Sequence, residues 1–244
     1  MISSSLVAEL APTGKLRVGI NYGNPVLATR DPNSGEVRGV AVDLARELGR
    51  RIELPIAIVS FESAGKMFDA IKSGAWDVAF LAVDPGRASE IDFTAPYVEI
   101  EGTNLAPAGA SFHVVEDVDR EGVRVGVSAK SAYDLFLTRS LKHAQIVRAA
   151  SPEGAFELIL SAKVDVLAGV RQTLVMHSAK LPGSQVFADR FMAIGQAMGV
   201  VKGRGDAVKY LREFVEEMKT SGFVAGALEN AGVRGVTIPA SEAS

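Results

Sequence analysis

The chain has 244 residues, 48% apolar and 23% charged, with a net charge of −3, which is room for one large α/β domain or two lobes of about 100–150 residues. The slight acidity gives no electrostatic reason to expect nucleic acid or an anionic membrane as a partner. Cysteine is absent, which excludes disulfides, thiolate metal sites and cysteine nucleophiles, and His113, His143 and His177 lack the spacing of metal ligands.

The stretch Met1–Ala8 has neither a basic start nor an apolar core, so it does not read as a signal peptide. As written the chain is expected in the cytoplasm, or in the periplasm if a leader has been cut away. No run of about 18 apolar residues suggests a membrane span. Lys15–Asn21 alternates as a first strand, and Asp31-Pro32-Asn33-Ser34-Gly35 has the composition of a turn. Val40–Arg51 places Val40, Leu44 and Leu48 at helical spacing. Ile56–Phe61 predicts a second strand, Lys66–Lys72 a second helix and Val78–Val83 a third, fully apolar strand. An extended stretch from Asp92 to about Ala106 predicts a first crossing between lobes.

A second set follows: a strand over Val123–Val127, a helix over Ala132–Leu141, a short strand over Gln145–Val147, a helix over Pro152–Leu160 and a strand over Val164–Ala168. It echoes the first set without sharing its sequence. Met192–Met198 predicts a second crossing and Gly199–Lys202 a returning strand. Asp206–Gly222 reads as an amphipathic helix, with Asp206 at the N-cap and Gly222 as the C′ glycine. Ile238–Ser244 is expected to fray. Alternating strands and helices predict an α/β protein with mainly parallel sheets. The organisation is two Rossmann-like lobes joined by two crossover strands. Residues 1–103 with 197–244 form one lobe and 104–196 the other, with a ligand cleft at the carboxyl ends of the strands.

Four stretches carry a resemblance: Gly39-Val40-Ala41-Val42-Asp43-Leu44-Ala45, Ile71-Lys72-Ser73-Gly74-Ala75-Trp76-Asp77, Pro85-Gly86-Arg87 continuing through Asp92-Phe93-Thr94-Ala95-Pro96-Tyr97, and Val125-Gly126-Val127 followed by Ser131. They resemble the bacterial extracellular solute-binding proteins of family 3, which serve polar amino-acid ABC transporters and have the type II periplasmic-binding fold. The resemblance implies that Arg87 grips the ligand carboxylate, a role its bidentate guanidinium suits. Ser131 would add a hydroxyl and backbone N–H, or simply cap its helix. Hinge closure is the implied mechanism, with Thr103–Ala106 and Ile194–Ala197 absorbing the backbone change.

Several positions depart from the family pattern. Where amino-acid binders place an aspartate for the ligand ammonium, this chain has Val170, followed by Arg171. Arg171 either faces the cleft, favouring a ligand with a second anionic or carbonyl group, or faces solvent as a first-turn charge. The first loop has Asn24 before Pro25 and Tyr22 two positions earlier, so Asn21, Tyr22 and Asn24 become candidate polar contacts or plain turn residues. Lys130 replaces a family glycine. Asp84, where threonine is common, would pair with Arg87, accept from a ligand donor or cap the following helix. Phe61 and Ala82, near the ends of the second and third strands, complete the candidate set.

The function expected is solute binding without catalysis, for an ABC transporter or a sensor, around a small carboxylate-bearing ligand that is amino-acid-like or an organic acid. A cytoplasmic sensory or scavenging protein is a further possibility. The alternative from another class is a cyclohexadienyl (arogenate) dehydratase-like enzyme, which needs a carboxyl general acid. Against it, no Glu or Asp follows Arg171 before Asp189; Asp84 or Glu62 would have to supply the proton. Neither cofactor nor metal is expected, since Gly199–Gly205 fits no nucleotide-binding spacing. The expected partners are the small carboxylate ligand and an ABC transporter permease, with no nucleic acid or membrane insertion, and the chain is expected to be a monomer.

Overall fold

The computed structural model describes residues 3–241. Met1 and Ile2 of the N-terminal stretch, and residues 242–244 of the tail expected to fray, lie outside the described residues. The chain divides into two compact units. The first runs to Glu62, takes in Lys66–Glu99 and resumes at Gly195; the second comprises Ser63–Gly65 and Ile100–Ile194.

In chain order the first unit begins with α1 (Ser4–Leu10), β1 (Leu16–Asn21), β2 (Thr29–Arg30), β3 (Val37–Arg38), α2 (Val40–Arg51) and β4 (Ile56–Phe61). Then come α3 (Ala64–Asp69), β5 (Val78–Ala82) and β6 (Ile91–Phe93). β7 (Val98–Ala106) carries the chain out. The second unit adds β8 (Arg124–Ser128), α4 (Ala132–Ser140), β9 (Gln145–Ala149), α5 (Pro152–Leu160), β10 (Val166–Val170), α6 (Arg171–Ser178) and β11 (Gln185–Val186). β12 (Met192–Val201) brings the chain back, followed by α7 (Gly205–Thr220) and α8 (Phe223–Asn230).

In the first unit β1 lies between β4 and β5, parallel to both, and β12 runs antiparallel to β5. Every residue of β5 is buried, as expected for a strand covered on both faces. The α2 face of Val40, Ala41, Leu44 and Leu48 is buried as its spacing requires. Gly39 opens that helix at φ 129°, and a Cβ there would stand 2.7 Å from the Leu27 carbonyl oxygen. Trp76 is buried with Met67, Ala79, Leu81 and Ile91, and its indole N–H donates to the Met67 carbonyl at 2.9 Å.

In the second unit β8 lies between β9 and β10, parallel to both, and β10 runs antiparallel to β7. Its core joins Leu105, Phe156, Ile159, Val164, Leu167 and Leu174. Burying such side chains contributes about 1.5–3 kcal/mol each.

Some expectations change. The predicted helix over Lys66–Lys72 is α3 followed by a 3-10 turn over Ala70–Ser73, ended by Gly74 at φ 60°. Asp206 is not the N-cap of α7: it lies in the first turn and accepts from Ser5 Oγ at 2.6 Å. The capping falls instead to Glu9 of the unpredicted α1, whose Oε2 accepts from Ala207 N at 2.8 Å. The two halves also share sequence after all. Arg17-Val18-Gly19 in β1 recurs as Arg124-Val125-Gly126 in β8, and Asp77-Val78 recurs as Asp165-Val166.

The recurrence builds one lock twice. Asp77 Oδ2 accepts from Arg17 N and Nε at 3.1 and 2.9 Å, and Oδ1 from Arg17 Nη2 at 2.7 Å. Asp165 takes the same three donors of Arg124 at 2.8, 3.0 and 2.7 Å. In each unit a strand-opening arginine is tied to the aspartate that precedes the third strand, fixing two neighbouring strands in register.

Candidate functional site

Parallel strands end together, so residues far apart in sequence gather at one edge of the first unit. Asn21 ends β1 and pairs in register with Phe61, the end of β4; Tyr22 N donates to the Phe61 carbonyl at 2.9 Å. Ala82 ends β5 on the other side of β1. The loop after β1 is pinned by its asparagines: Asn21 Oδ1 accepts from Gly23 N at 3.0 Å, and Asn24 Oδ1 from Val26 N at 3.2 Å. Both are buried. Their carbonyl oxygens therefore serve as turn acceptors, while Tyr22 remains half-buried.

Asp84 and Arg87 follow β5. Asp84 Oδ1 accepts from Gly86 N at 2.8 Å and its carbonyl from Ala88 N at 2.9 Å, so it caps the turn that starts at Arg87. Arg87 is 1% exposed, and its Nη1 donates to the Ala82 carbonyl at 2.9 Å. Burial lowers its guanidinium pKa to about 10, against the opposing pull of Asp84, so it stays cationic at neutral pH. Seven candidates (Asn21, Tyr22, Asn24, Phe61, Ala82, Asp84 and Arg87) thus belong to the ends of three adjacent strands or the loops that leave them.

The rest of the Phe93–Tyr97 motif does structural work. Thr94 Oγ1 accepts from Met198 N at 3.1 Å, and Tyr97 N donates to the Gln196 carbonyl at 2.9 Å. The Tyr97 ring is buried edge-on against Phe80 at 5.8 Å, and burial pushes its phenol pKa well up.

The other two candidates lie in the second unit, near the carboxyl ends of neighbouring parallel strands. Ser131, after β8, is the N-cap of α4 and accepts from Asp134 N at 3.1 Å. Lys130 holds φ 58°, the left-handed conformation that favours the glycine it replaces. Its N–H donates to Asp134 Oδ2 at 2.7 Å. Asp134, not foreseen as important, also accepts from Arg148 Nε at 3.0 and 3.1 Å. The Ser131-x-x-Asp134 spacing is the signal that marks it, a variant of the capping box. Tyr133 is buried beside them, its phenol pushed up to about 12 by burial against hydrogen bonds from Ser131 and Ser128.

Arg171 opens α6 directly after β10, half-buried, with each nitrogen of its guanidinium engaged. Nε donates to Glu101 Oε2 at 2.5 Å, Nη1 to the Phe187 carbonyl at 2.6 Å, and Nη2 to the Ala188 and Asp189 carbonyls at 2.9 and 3.0 Å. Its fork clamps the 187–189 segment to the start of β7. Among the described residues, no cluster of three or more His, Asp or Glu side chains could hold a metal ion.

A family model described as bacterial extracellular solute-binding proteins, family 3, matches residues 16–230. The chain belongs to this family. The solute-binding chain is also 20% identical over 220 residues to the ABC transporter glutamine-binding protein GlnH of Bacillus subtilis (strain 168), covering 88% of this chain and 80% of GlnH. Among solved structures, a solute receptor for L-cysteine of Neisseria gonorrhoeae superposes with a TM-score of 0.80 at 20% identity, covering 94% of this chain and 93% of that one. The ancestral amino acid-binding protein AncCDT-1, a precursor of cyclohexadienyl dehydratase, gives 0.77 at 20% identity, over 93% and 99%. These likenesses give this family member the type II periplasmic-binding fold. Among its described residues, no helix is long and apolar enough to cross a membrane.

Proposed function

We propose that the chain binds a small carboxylate-bearing solute, anchored by Arg87, and hands it to an ABC transporter permease or a sensor. The observation that carries this reading is the buried guanidinium of Arg87 just beyond the end of β5. Desolvation makes a buried cation costly, and a carboxylate that meets it with two in-plane acceptors offsets that cost where water cannot compete. The family assignment supports the role, and the Bacillus relative suggests glutamine as a first solute to try. The description of the family as extracellular supports placement outside the cytoplasm, in the periplasm.

Binding without chemistry is the preferred reading because the carboxylates at the candidate positions are engaged structurally. Asp84 caps its turn and Glu62 pairs with Lys66, while among neighbouring carboxylates Asp134 is held by Arg148 and Glu101 by Arg171. A dehydratase needs a carboxyl free to give and take a proton.

The test is calorimetric titration with glutamine, cysteine, succinate and pyruvate, after a thermal-shift screen that reads ligand stabilisation by mass action. Arg87→Ala is expected to weaken the best ligand about 100-fold, the scale of losing a buried charge pair. Unchanged affinity would remove Arg87 from the site. Aromatised product from arogenate incubated with the same protein would overturn the non-catalytic reading.

A further inference from the structure

The hairpin of β2 and β3 pairs Thr29 with Arg38 and Arg30 with Val37. Its turn is closed by Asp31, whose Oδ1 accepts from Asn33 N at 2.9 Å and Ser34 N at 2.7 Å. Those N–H groups hold the Asp31 carboxyl below its ordinary pKa. The other nearby acid, Glu36, is taken by Arg38 at 2.6 Å and Arg46 at 3.8 Å. Arg30 is therefore left to a different contact: its Cζ stands 5.4 Å from the centre of the Tyr22 ring.

That contact has a chemical consequence. Attraction to a ring face positions a guanidinium without consuming any N–H donor. Arg30 makes no ion pair with another described residue, so its fork is positioned and still available. Beside it lies an open pocket of about 640 Å³, bordered by Tyr22, Thr29, Asn33 and Ser34 as well as Arg30 and Asp31. Ser34 Oγ accepts from Glu36 N at 3.2 Å and its hydroxyl is hydrogen-bonded to the Asp31 carboxyl, so the donors this pocket offers an anion are those of Arg30. The Asp31 charge disfavours a dianionic group here and leaves a singly charged one the better match.

We propose that this pocket is a second anion site on the first unit, taking the carboxylate of a small organic acid on the Arg30 fork. It shares Tyr22 with the loop after β1 but does not depend on Arg87.

The test is a nuclear magnetic resonance titration of the full chain with acetate, a monoanion, and, separately, inorganic phosphate, at matched ionic strength. Saturable acetate shifts at Tyr22, Ser34 and Gly35 are expected. Arg30→Gln should weaken them about tenfold, and Arg30→Lys, which keeps charge but loses the fork, should fall between. Arg87→Ala should leave them unchanged even if it abolishes the principal solute. The proposal is overturned if the shifts fail to saturate, survive Arg30→Gln, vanish with Arg87→Ala, or are stronger with phosphate than with acetate. Amide spectra away from residues 22–38 report whether each variant is folded.

Discussion

At the scale of single residues, the second unit keeps one titratable group in an environment hostile to its charge. His177 in α6 is buried, stacked on Phe156 at 4.2 Å, with Nε2 at 3.1 Å from Glu153 Oε2. Burial lowers its pKa, Glu153 opposes that, and Lys180 adds to it. The folded chain therefore refuses a proton that the unfolded chain accepts once pH drops below about 6.5. Stability should be unaffected above that value and fall with pH through the window down to the lowered folded pKa. Urea melts at pH 7, 6 and 5 should show this decline, and His177→Gln should make it shallower; an equal slope in both would remove His177 as the cause.

Arg171 teaches a related lesson about reading charges. From sequence it is a cation at the end of a strand, equally suited to ligand or solvent. Which donors it spends depends on carbonyls of residues 187–189, a segment no local pattern connects to it. Asp84 and Ser131 were more legible, since capping acts across two or three residues and leaves its mark in the immediate sequence.

Among the elements, the two arginine–aspartate locks offer a controlled comparison. Their hydrogen bonds match, but the Asp77 side chain is 0% exposed and that of Asp165 is 32%. Asp77→Asn takes the charge partner from the partly exposed Arg17, and from Arg204 at 3.6 Å, at a fully buried position and should cost about 3 kcal/mol. Asp165→Asn, partly solvated, should cost about 1 kcal/mol. Chemical denaturation of both variants checks the ranking; equal losses would mean that burial does not set the strength of the lock.

The strongly amphipathic or wholly apolar elements, α2, α7 and β5, were plain in the sequence because one periodicity dominates each. α6 was not: only Leu174 and His177 are buried along it, and it starts on Val170, which offers no side-chain cap. α8 starts at once after α7, with Gly222 at φ 80° serving the end of one helix and the start of the next. α1 is seven residues whose apolar face, Leu6 and Leu10, is too short to show a period. At the site, the strand ends could be inferred from the order of elements. The bond from Arg87 to Ala82 and the contact of Arg30 with Tyr22 needed the fold.

For the molecule as a whole, the places where the chain changes unit are tightly constrained. Gly195, where it re-enters the first unit, has no room for a side chain: a Cβ would stand 2.7 Å from Pro96 Cγ. Because proline cannot swing aside, Gly195→Ala should destabilise by about 1–3 kcal/mol, measured as a lower urea midpoint. A neutral result would mean that the β12 backbone shifts at little cost.

The same path through the two units has a consequence for how the protein is made. A ribosome delivers residues in order, at about 5–20 per second. After Glu99 has emerged, the first unit still lacks β12, the strand that pairs with β5, and it must wait for all of Ile100–Ile194 to be synthesised. For those seconds the apolar edge of β5 is open to chaperones or to a neighbouring nascent chain, whereas the second unit has nearly all its parts by Ile194. The unit that begins first is the one that finishes last.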